Sequence, residues 1–299
     1  MSVAGGPRVV AIGGGHGLAA SLRAIRRYAG DITAVVSVAD DGGSSGRLRQ
    51  LLSMPAPGDL RRCLSALANP ESRLGAALEY RFPTGDLAGH ALGNLLIAGL
   101  AEADGGFVGA LDEVGRLVGS VGRVLPATTE PVTLMADAGC AAGIEGQVAV
   151  QNTAGIRRLT IRPASATTPP EVLAAITAAD QVVIGPGSLF TSVLAAAIVP
   201  AIRSALCDVA VPRVYVCNLG PQSPETDGLS AADHAEALVG HGVPIDVMVC
   251  HPGPLGCRAE QQERLGGLRC LEREVAHPGG AAHDSALLAA VLAELLGAG

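Results

Sequence analysis

The chain has 299 residues, of which 48% are apolar and 2% aromatic, so its core has to be built from Ala, Val, Leu and Ile. Its formal net charge is −7, and neither a basic face nor a set of aromatic stacking platforms is visible, which argues against a nucleic-acid partner. The sequence has no signal-peptide pattern and no run of 18 or more purely apolar residues, which predicts a cytoplasmic protein without a membrane span.

The first elements in chain order predict one βαβ unit. Residues 8–12 and 32–38 are short runs rich in β-branched residues, and the apolar positions of 18–28 repeat with helical spacing. A glycine-rich turn joins the first strand to this helix. The N–H groups and the dipole at the start of a helix favour an anion, so the turn predicts a phosphate site as an alternative to a plain tight turn. The candidate phosphate-binding residues are Gly13, Gly14, Gly15, His16 and Gly17. The side chain of His16 either donates to the phosphate or only caps the helix.

A polar loop follows the second strand and contains Asp40, Asp41 and Ser44. One acidic residue at this place in such folds often binds a ribose hydroxyl, and two adjacent acidic residues beside phosphates can hold a hydrated Mg²⁺. A solvated turn is the alternative. Helices are then predicted for 46–52, 59–68, 72–81, 89–103 and 111–118. Asn94, a polar residue in an apolar helix, is a further ligand-binding candidate, with a buried backbone hydrogen bond as the alternative.

The pattern changes between residues 121 and 165. Short β-rich pieces at 132–135, 148–151 and 156–161 are separated by turn residues, which predicts a small β-containing subdomain inserted into one unit spanning 1–299.

Strands return at 182–184, 213–217 and 245–250, alternating with helices, and a last helix is predicted for 285–296. This alternation predicts an α/β fold, a Rossmann-like three-layer parallel sheet. Because ligands of such sheets bind beyond the carboxyl ends of the strands, Gly187, Ser188 and Asn218 join the ligand-binding candidates.

Two common nucleotide-binding patterns are not met. Leu18 stands where the dinucleotide fingerprint has its third glycine, and no lysine follows the turn as it would in a P-loop. No nucleophile–base arrangement is visible either. The sequence therefore indicates a binding site more clearly than it indicates catalysis.

A longer series of motifs resembles the gluconeogenesis factor family, also called YvcK-like, within the wider CofD-like superfamily. The motifs span about residues 8–250, and the string Val38-Ala39-Asp40-Asp41-Gly42-Gly43-Ser44-Ser45-Gly46 is the most specific of them. The other matching segments are residues 12–17, Pro57-Gly58-Asp59-Leu60-Arg61, 89–95, 122–128, 184–192, 214–218 and Glu225-Thr226-Asp227-Gly228.

The resemblance implies a Rossmann-like fold and the binding of a UDP-sugar such as UDP-N-acetylglucosamine. It implies a role in cell shape and cell-wall synthesis during growth on gluconeogenic carbon sources. It leaves room for a homo-oligomer and for a cell-wall synthesis protein as partner. The alternative is the CofD branch, a Mg²⁺-dependent 2-phospho-L-lactate transferase acting on a nucleotide diphosphate, in which Asp40 and Asp41 would hold the metal. Whether the chain is an enzyme stays open between these two interpretations.

Two residues and one segment depart from the family pattern. His16 stands where the family usually has Thr, and Arg62 stands where it usually has Asn. The stretch from His251 onward also fits the family poorly. All three departures bear on how the phosphates and the base of a ligand would be contacted.

Overall fold

The computed structural model describes residues 5–104, 106–139, 141–257, 263–280 and 282–296. In this part of the chain, a seven-stranded parallel sheet has the strand order β10-β9-β8-β7-β1-β2-β3, and a separate antiparallel sheet has the order β5-β4-β6. The strands are β1 (Arg8–Gly13), β2 (Asp31–Val36), β3 (Arg123–Pro126), β4 (Thr133–Ala138), β5 (Ala141–Glu145), β6 (Ile156–Arg162), β7 (Gln181–Ile184), β8 (Arg213–Val216), β9 (Val247–Cys250) and β10 (Arg269–Glu272).

Helices flank the large sheet, which confirms the predicted α/β class. The helices of the described residues are α1 (Gly15–Ile25), α2 (Gly43–Leu52), α3 (Gly58–Leu67), α4 (Arg73–Ala77), α5 (Leu92–Asp104), α6 (Phe107–Val118), α7 (Gln147–Gln151), α8 (Pro170–Ala178), a π-helix (Leu189–Leu194) that runs into α9 (Ala195–Ala197), α10 (Pro200–Asp208), α11 (Ala231–Gly240) and α12 (Ser285–Glu294).

The centre of the large sheet positions the two glycine-rich turns side by side. Strand β1 pairs in parallel with β2 on one side and with β7 on the other, with Ile12 opposite Val35 and opposite Ile184. All residues of β7 are buried, and β1 is buried apart from Arg8, because helices cover both strands with aliphatic side chains. The carboxyl ends of β1 and β7 therefore lie next to each other, and each leads directly into a glycine-rich turn.

The small sheet lies inside the region predicted to be β-rich, but one of its predicted strands is wrong. Residues 148–151 lie in helix α7, although the β-branched side chains of Val148 and Val150 are typical of strands. The helix begins after Gly146, whose φ of 98° ends strand β5 with a turn. An acidic side chain from the loop after β2, which is distant in sequence, caps helix α7. No local sequence pattern could have shown this long-range contact.

The helix predicted for 72–81 is shorter than expected and ends at Ala77. The chain then turns back, and Arg81 pairs with Ala91 in an isolated antiparallel bridge. The strands β3, β5 and β10 were not predicted, because they are short and carry few consecutive apolar residues.

Among the described residues, no single helix has both the length and the apolar composition needed to cross a membrane. The segments Leu189–Ala197 and Pro200–Asp208 meet the criterion only when taken together, and the chain bends by 73° between them.

Candidate functional site

The two glycine-rich turns touch each other through their backbones. A Cβ atom added to Gly17 would lie 2.3 Å from the carbonyl oxygen of Pro186 and 2.6 Å from the Cα atom of Gly187. A Cβ atom on Gly14 would lie 2.5 Å from Oδ2 of Asp59. Any side chain at Gly17 would force the two turns apart, so glycine here serves close packing at the sheet edge.

The start of helix α1 offers unpaired N–H groups. The first N–H of this helix with an intrahelical acceptor is that of Leu18, which donates to the carbonyl of Gly14 at 3.3 Å. The N–H of Gly15 lies close enough to the carboxyl group of Asp59 to lower the pKa of that group. The N–H groups of His16 and Gly17 have no acceptor among the described residues. Together with the helix dipole, these two groups form an anion-binding position.

A cavity of about 370 Å³ lies directly in front of this position. Its wall is formed by both turns, by Asp40 after β2, by Asp59 and Arg62 of helix α3, and by helix α7 of the small-sheet region. The full lining is Gly14, Gly15, His16, Gly17, Ser37, Asp40, Gly42, Asp59, Arg62, Gln147, Val148, Gln151, Gly187, Ser188, Thr191, Ser192 and Gln222. Residues from six separate parts of the sequence thus meet at the carboxyl edge of the sheet.

Asp59 and Arg62 form an ion pair inside this cavity. Nη1 of Arg62 lies 2.6 Å from Oδ1 of Asp59, and the buried Nε of Arg62 has no hydrogen-bond partner in the structure. Burial raises the pKa of Asp59, the guanidinium of Arg62 opposes this, and the nearby carboxylate of Asp40 raises the pKa further. Arg62 is therefore a cation at the cavity wall with hydrogen-bonding capacity to spare.

Partial burial and nearby arginine charges hold the pKa of His16 below its usual value of 6.5. Partial burial is the largest cause, and the positive charge of Arg62 is the next. The imidazole is consequently neutral at pH 7, where it can donate one hydrogen bond to a ligand but does not add a full positive charge.

The second glycine turn already holds an internal anion. The Ser188 hydroxyl lies 2.7 Å from both carboxylate oxygens of Glu225, and the N–H groups of Phe190 and Thr191 each donate to that carboxylate at 3.0 Å. Burial raises the pKa of Glu225, and the hydrogen bond from Ser188 opposes the rise. Because Glu225 occupies the start of the π-helix, the first turn is the one left open to the phosphate of a ligand.

Asn218, which follows strand β8, fixes the shape of the second turn. Its side-chain amide accepts from the N–H of Gly187 and donates to the carbonyl of the same residue, both at 2.9 Å, and it also donates to Gln222 at 3.2 Å. Asn218 thus acts as a two-ended clamp on the backbone of Gly187.

A second cavity of about 580 Å³ continues from the first along the ends of β8 and β9. The two cavities share His16, Gly17, Gly187 and Gln222, so they form one cleft. His283 lines the second cavity and contacts the carbonyl of Cys217 at 3.2 Å, and burial lowers its pKa to about 4. The described residues that line this part of the cleft include no carboxylate. It therefore suits a neutral, polar part of a ligand.

The structure brings eight of the twelve sequence-predicted site residues to this cleft. Seven of them line the first cavity and Asn218 lines the second. The seven are Gly14, Gly15, His16, Gly17, Asp40, Gly187 and Ser188. Gly13 lies below the turn, buried at the end of β1.

Asp41 points away from the first cavity. Its carboxylate accepts from the N–H groups of Gln147 at 2.8 Å and Val148 at 3.0 Å, which caps helix α7. Asp41 thus fastens the small-sheet region to the loop after β2.

Ser44 and Asn94 belong to a buried network behind the cleft. The amide of Asn94 donates to the Ser44 hydroxyl at 3.0 Å and accepts from Nε of Arg61 at 3.0 Å, while Ser44 contacts Nδ1 of His90 at 3.1 Å. Arg61 also forms an ion pair with Glu79. This network holds helices α2, α3 and α5 together.

Sequence reasoning missed several residues of the cleft. Asp59 lies within a motif noted for its family resemblance, and Arg62 stands out as a departure from the family, so both carried a signal. Gln147 and Gln151 carried none, because their contribution depends on the docking of helix α7, which was predicted to be a strand.

Among the residues that the structure describes, two carboxylates, those of Asp40 and Asp59, line the first cavity. In the part of the chain that the structure describes, no group of three or more His, Cys, Asp and Glu side chains could hold a metal ion. A Mg²⁺ ion at Asp40 would therefore take further ligands from phosphate oxygens and water, as Mg²⁺ commonly does.

The fold and the cleft define an α/β protein with a glycine-rich turn and unpaired N–H groups at the carboxyl edge of a parallel sheet. The family model described as 2-phospho-L-lactate transferase CofD matches residues 9–277, and the chain belongs to this family.

Relatives and a solved structure extend the match over most of the chain. A relative from Mycobacterium tuberculosis is 43% identical over 303 residues, which is 95% of this chain and 89% of the relative. The gluconeogenesis factor of Bacillus subtilis is 40% identical over 237 residues, 79% of this chain and 75% of that protein. A crystal structure of a UPF0052 family member from Bacillus halodurans is similar with a TM-score of 0.91 at 34% identity, covering 95% of this chain and 98% of that one.

Proposed function

We propose that this chain binds a UDP-sugar of the UDP-N-acetylglucosamine kind in the cleft and acts as a cytoplasmic regulator of cell shape and cell-wall synthesis during gluconeogenic growth. The relatives named gluconeogenesis factor support the regulatory part of this proposal. The motif resemblance supports the choice of ligand.

The observation that carries the ligand class is the pair of unpaired N–H groups of His16 and Gly17 at the junction of the two cavities. A diphosphate placed there would meet two backbone donors, the dipole of α1 and the guanidinium of Arg62. The two ends of a nucleotide-sugar would then extend into the cavities of about 370 and 580 Å³, which are of the size that small ligands occupy in proteins.

Charge in the first cavity adds a requirement for a cation. Asp40 and Asp59 line the cavity that the phosphates would enter, and the negative charges of carboxylates and phosphates repel one another. A Mg²⁺ ion between Asp40 and the diphosphate would turn this repulsion into attraction. We therefore expect Mg²⁺ to strengthen binding of the UDP-sugar.

The test is a thermal-shift and calorimetric titration of the purified protein with UDP-N-acetylglucosamine, with and without Mg²⁺, and with GDP and NAD for comparison. At a ligand concentration of 100 times Kd, the gain in stability is about 2.7 kcal/mol. Gly14→Ala should abolish the gain because the new methyl group displaces Asp59. The control Gly99→Ala, whose Cβ meets nothing within 4 Å, should retain it. Chromatography of the ligand after incubation should recover it intact. A native protein that responds to no UDP-sugar would rule the proposal out.

The convergence of Asp40 and Asp59 on one cavity favours a second candidate function, a Mg²⁺-dependent transfer from a nucleotide diphosphate adduct. The description of the matching family names a transferase, 2-phospho-L-lactate transferase. In that case GDP with Mg²⁺ should stabilise the protein more than any UDP-sugar. Product formation should then be lost in Asp40→Asn, and product that persists in this variant would argue against the transferase.

A further inference from the structure

A separate cavity of about 650 Å³ lies away from the cleft, between strand β6 of the small sheet and helices α10 and α11. It shares no lining residue with the two cavities of the cleft. Three arginines line it: Arg157 and Arg158 from β6 and Arg203 from α10. Three arginine residues thus line one space in a protein whose net charge is −7.

Asp137 lies opposite Arg158 where β4 pairs with β6, but no ion pair joins the two side chains. Within the described ranges, none of the three arginines forms an ion pair or a side-chain hydrogen bond. One carboxylate, that of Glu236, is present among the described lining residues, and Arg264 pairs with it at 2.8 Å. Three arginines and one carboxylate, which is already paired with Arg264, leave the lining residues with a net positive charge.

The cavity also has a rigid floor. The imidazole of His241 accepts from the N–H of Leu159 at 2.9 Å and donates from Nδ1 to the carbonyl of Ala237 at 2.6 Å. Both ring nitrogens are thereby used, and β6 is tied to the end of α11. The stem of Arg203 packs beside Gly242, where an added Cβ would lie 3.2 Å from Cδ of the arginine. The arginines thus extend from a fixed frame.

We infer that this cavity, the arginine pocket, binds a small molecule that carries two or more phosphate groups. Guanidinium groups bind phosphate through paired, charge-assisted hydrogen bonds, and three of them match a ligand with several phosphates. The volume lies in the range of small-molecule sites and is recessed between a strand and two helices, which favours a metabolite over an extended phosphopeptide.

The experiment is isothermal titration of the full-length protein with inorganic pyrophosphate and with a sugar bisphosphate at low ionic strength. The test variants are Arg203→Gln and the double substitution Arg157→Gln with Arg158→Gln. The matched control is Arg269→Gln on β10, an exposed arginine that also lacks an ion pair in the described residues. Each test variant should weaken one binding event by about tenfold or more, since hydrogen bonds to charged groups contribute that much.

Other readouts separate this pocket from the cleft. The Gly14→Ala variant should keep the binding event that the arginine variants lose, and that event should weaken as salt is raised. The inference is overturned if the pocket variants titrate like Arg269→Gln, or if a phosphoserine peptide binds while pyrophosphate and the sugar bisphosphate do not. If the protein binds no UDP-sugar, the expected loss of pyrophosphate binding in the arginine variants is unchanged.

Discussion

Replacing Arg62 by Asn gives the sharpest test of the cleft. Arg62 supplies the one guanidinium that lines the first cavity, and its buried Nε is unpaired. Losing one hydrogen bond between a charged group and a phosphate costs about 1.5–3 kcal/mol. We therefore expect Kd for UDP-N-acetylglucosamine to rise about 10- to 100-fold in this variant.

The same substitution has a second consequence that needs no ligand. The charge of Arg62 is the second-largest cause of the lowered pKa of His16, after burial. Removing this charge should raise the pKa of His16 toward its usual value, which an NMR titration of the imidazole measures directly. Asp59 loses the cation that opposes its raised pKa, so its carboxyl should hold its proton to higher pH.

Arg23→Asn is the matched control. Arg23 is exposed on helix α1, and its charge is the smallest of the named causes acting on His16. Like Arg62→Asn, the substitution Arg23→Asn removes one positive charge, but Arg23 is not among the residues that line the first cavity. Kd should therefore stay within about twofold of the native value. If Arg62→Asn changes neither Kd nor the pKa of His16, the placement of this guanidinium in the cleft is wrong.

Two further predictions concern stability. Asn218→Asp keeps an acceptor for the N–H of Gly187 but replaces the donor to its carbonyl with a carboxylate, so urea unfolding should show a loss of about 2–3 kcal/mol, and an unchanged midpoint would refute the clamp. His234, fully buried against Tyr215, has its pKa lowered by burial to about 4, like His283. Both histidines bind protons at higher pH in the unfolded chain than in the folded protein. The free energy of unfolding should therefore fall as the pH drops from 6.5 toward 4, by about 1.4 kcal/mol per pH unit for each histidine. His234→Asn should remove about half of this slope in urea unfolding between pH 6 and 5, and an unaltered slope would contradict the assignment.

Much of the large sheet could be predicted from local sequence because its central strands are short, aliphatic and buried on both faces. Strands β1, β2, β7, β8 and β9 all fall within or beside their predicted ranges. The convergence of the glycine turns with Asp40 and Asn218 also followed, since the carboxyl ends of parallel strands meet at one edge. These features depend on periodicity and topology, which a single sequence carries.

What could not be predicted depends on contacts between distant parts of the chain. Helix α7 exists where a strand was predicted because Asp41 caps it from 106 residues earlier in the sequence. Glu225 fills the second turn from 37 residues further on, which turns an apparent second anion site into an occupied one. In both places a side chain that is distant in sequence accepts hydrogen bonds from backbone N–H groups. Neither helix propensity nor the spacing of apolar residues indicates such a partner.

These long-range contacts also link the cleft to the arginine pocket. The small sheet supplies β6 to the arginine pocket, and the chain between β5 and β6 forms helix α7, which lines the first cavity. On the other side, the imidazole of His241 meets the ring of Phe190 edge-on at 6.4 Å, two residues from Ser188 in the second turn. A ligand that draws β6 toward helices α10 and α11 therefore acts on elements that also shape the cleft. Linkage then requires reciprocity: whatever factor a phosphorylated ligand applies to the affinity for a UDP-sugar, the UDP-sugar applies to the affinity for that ligand.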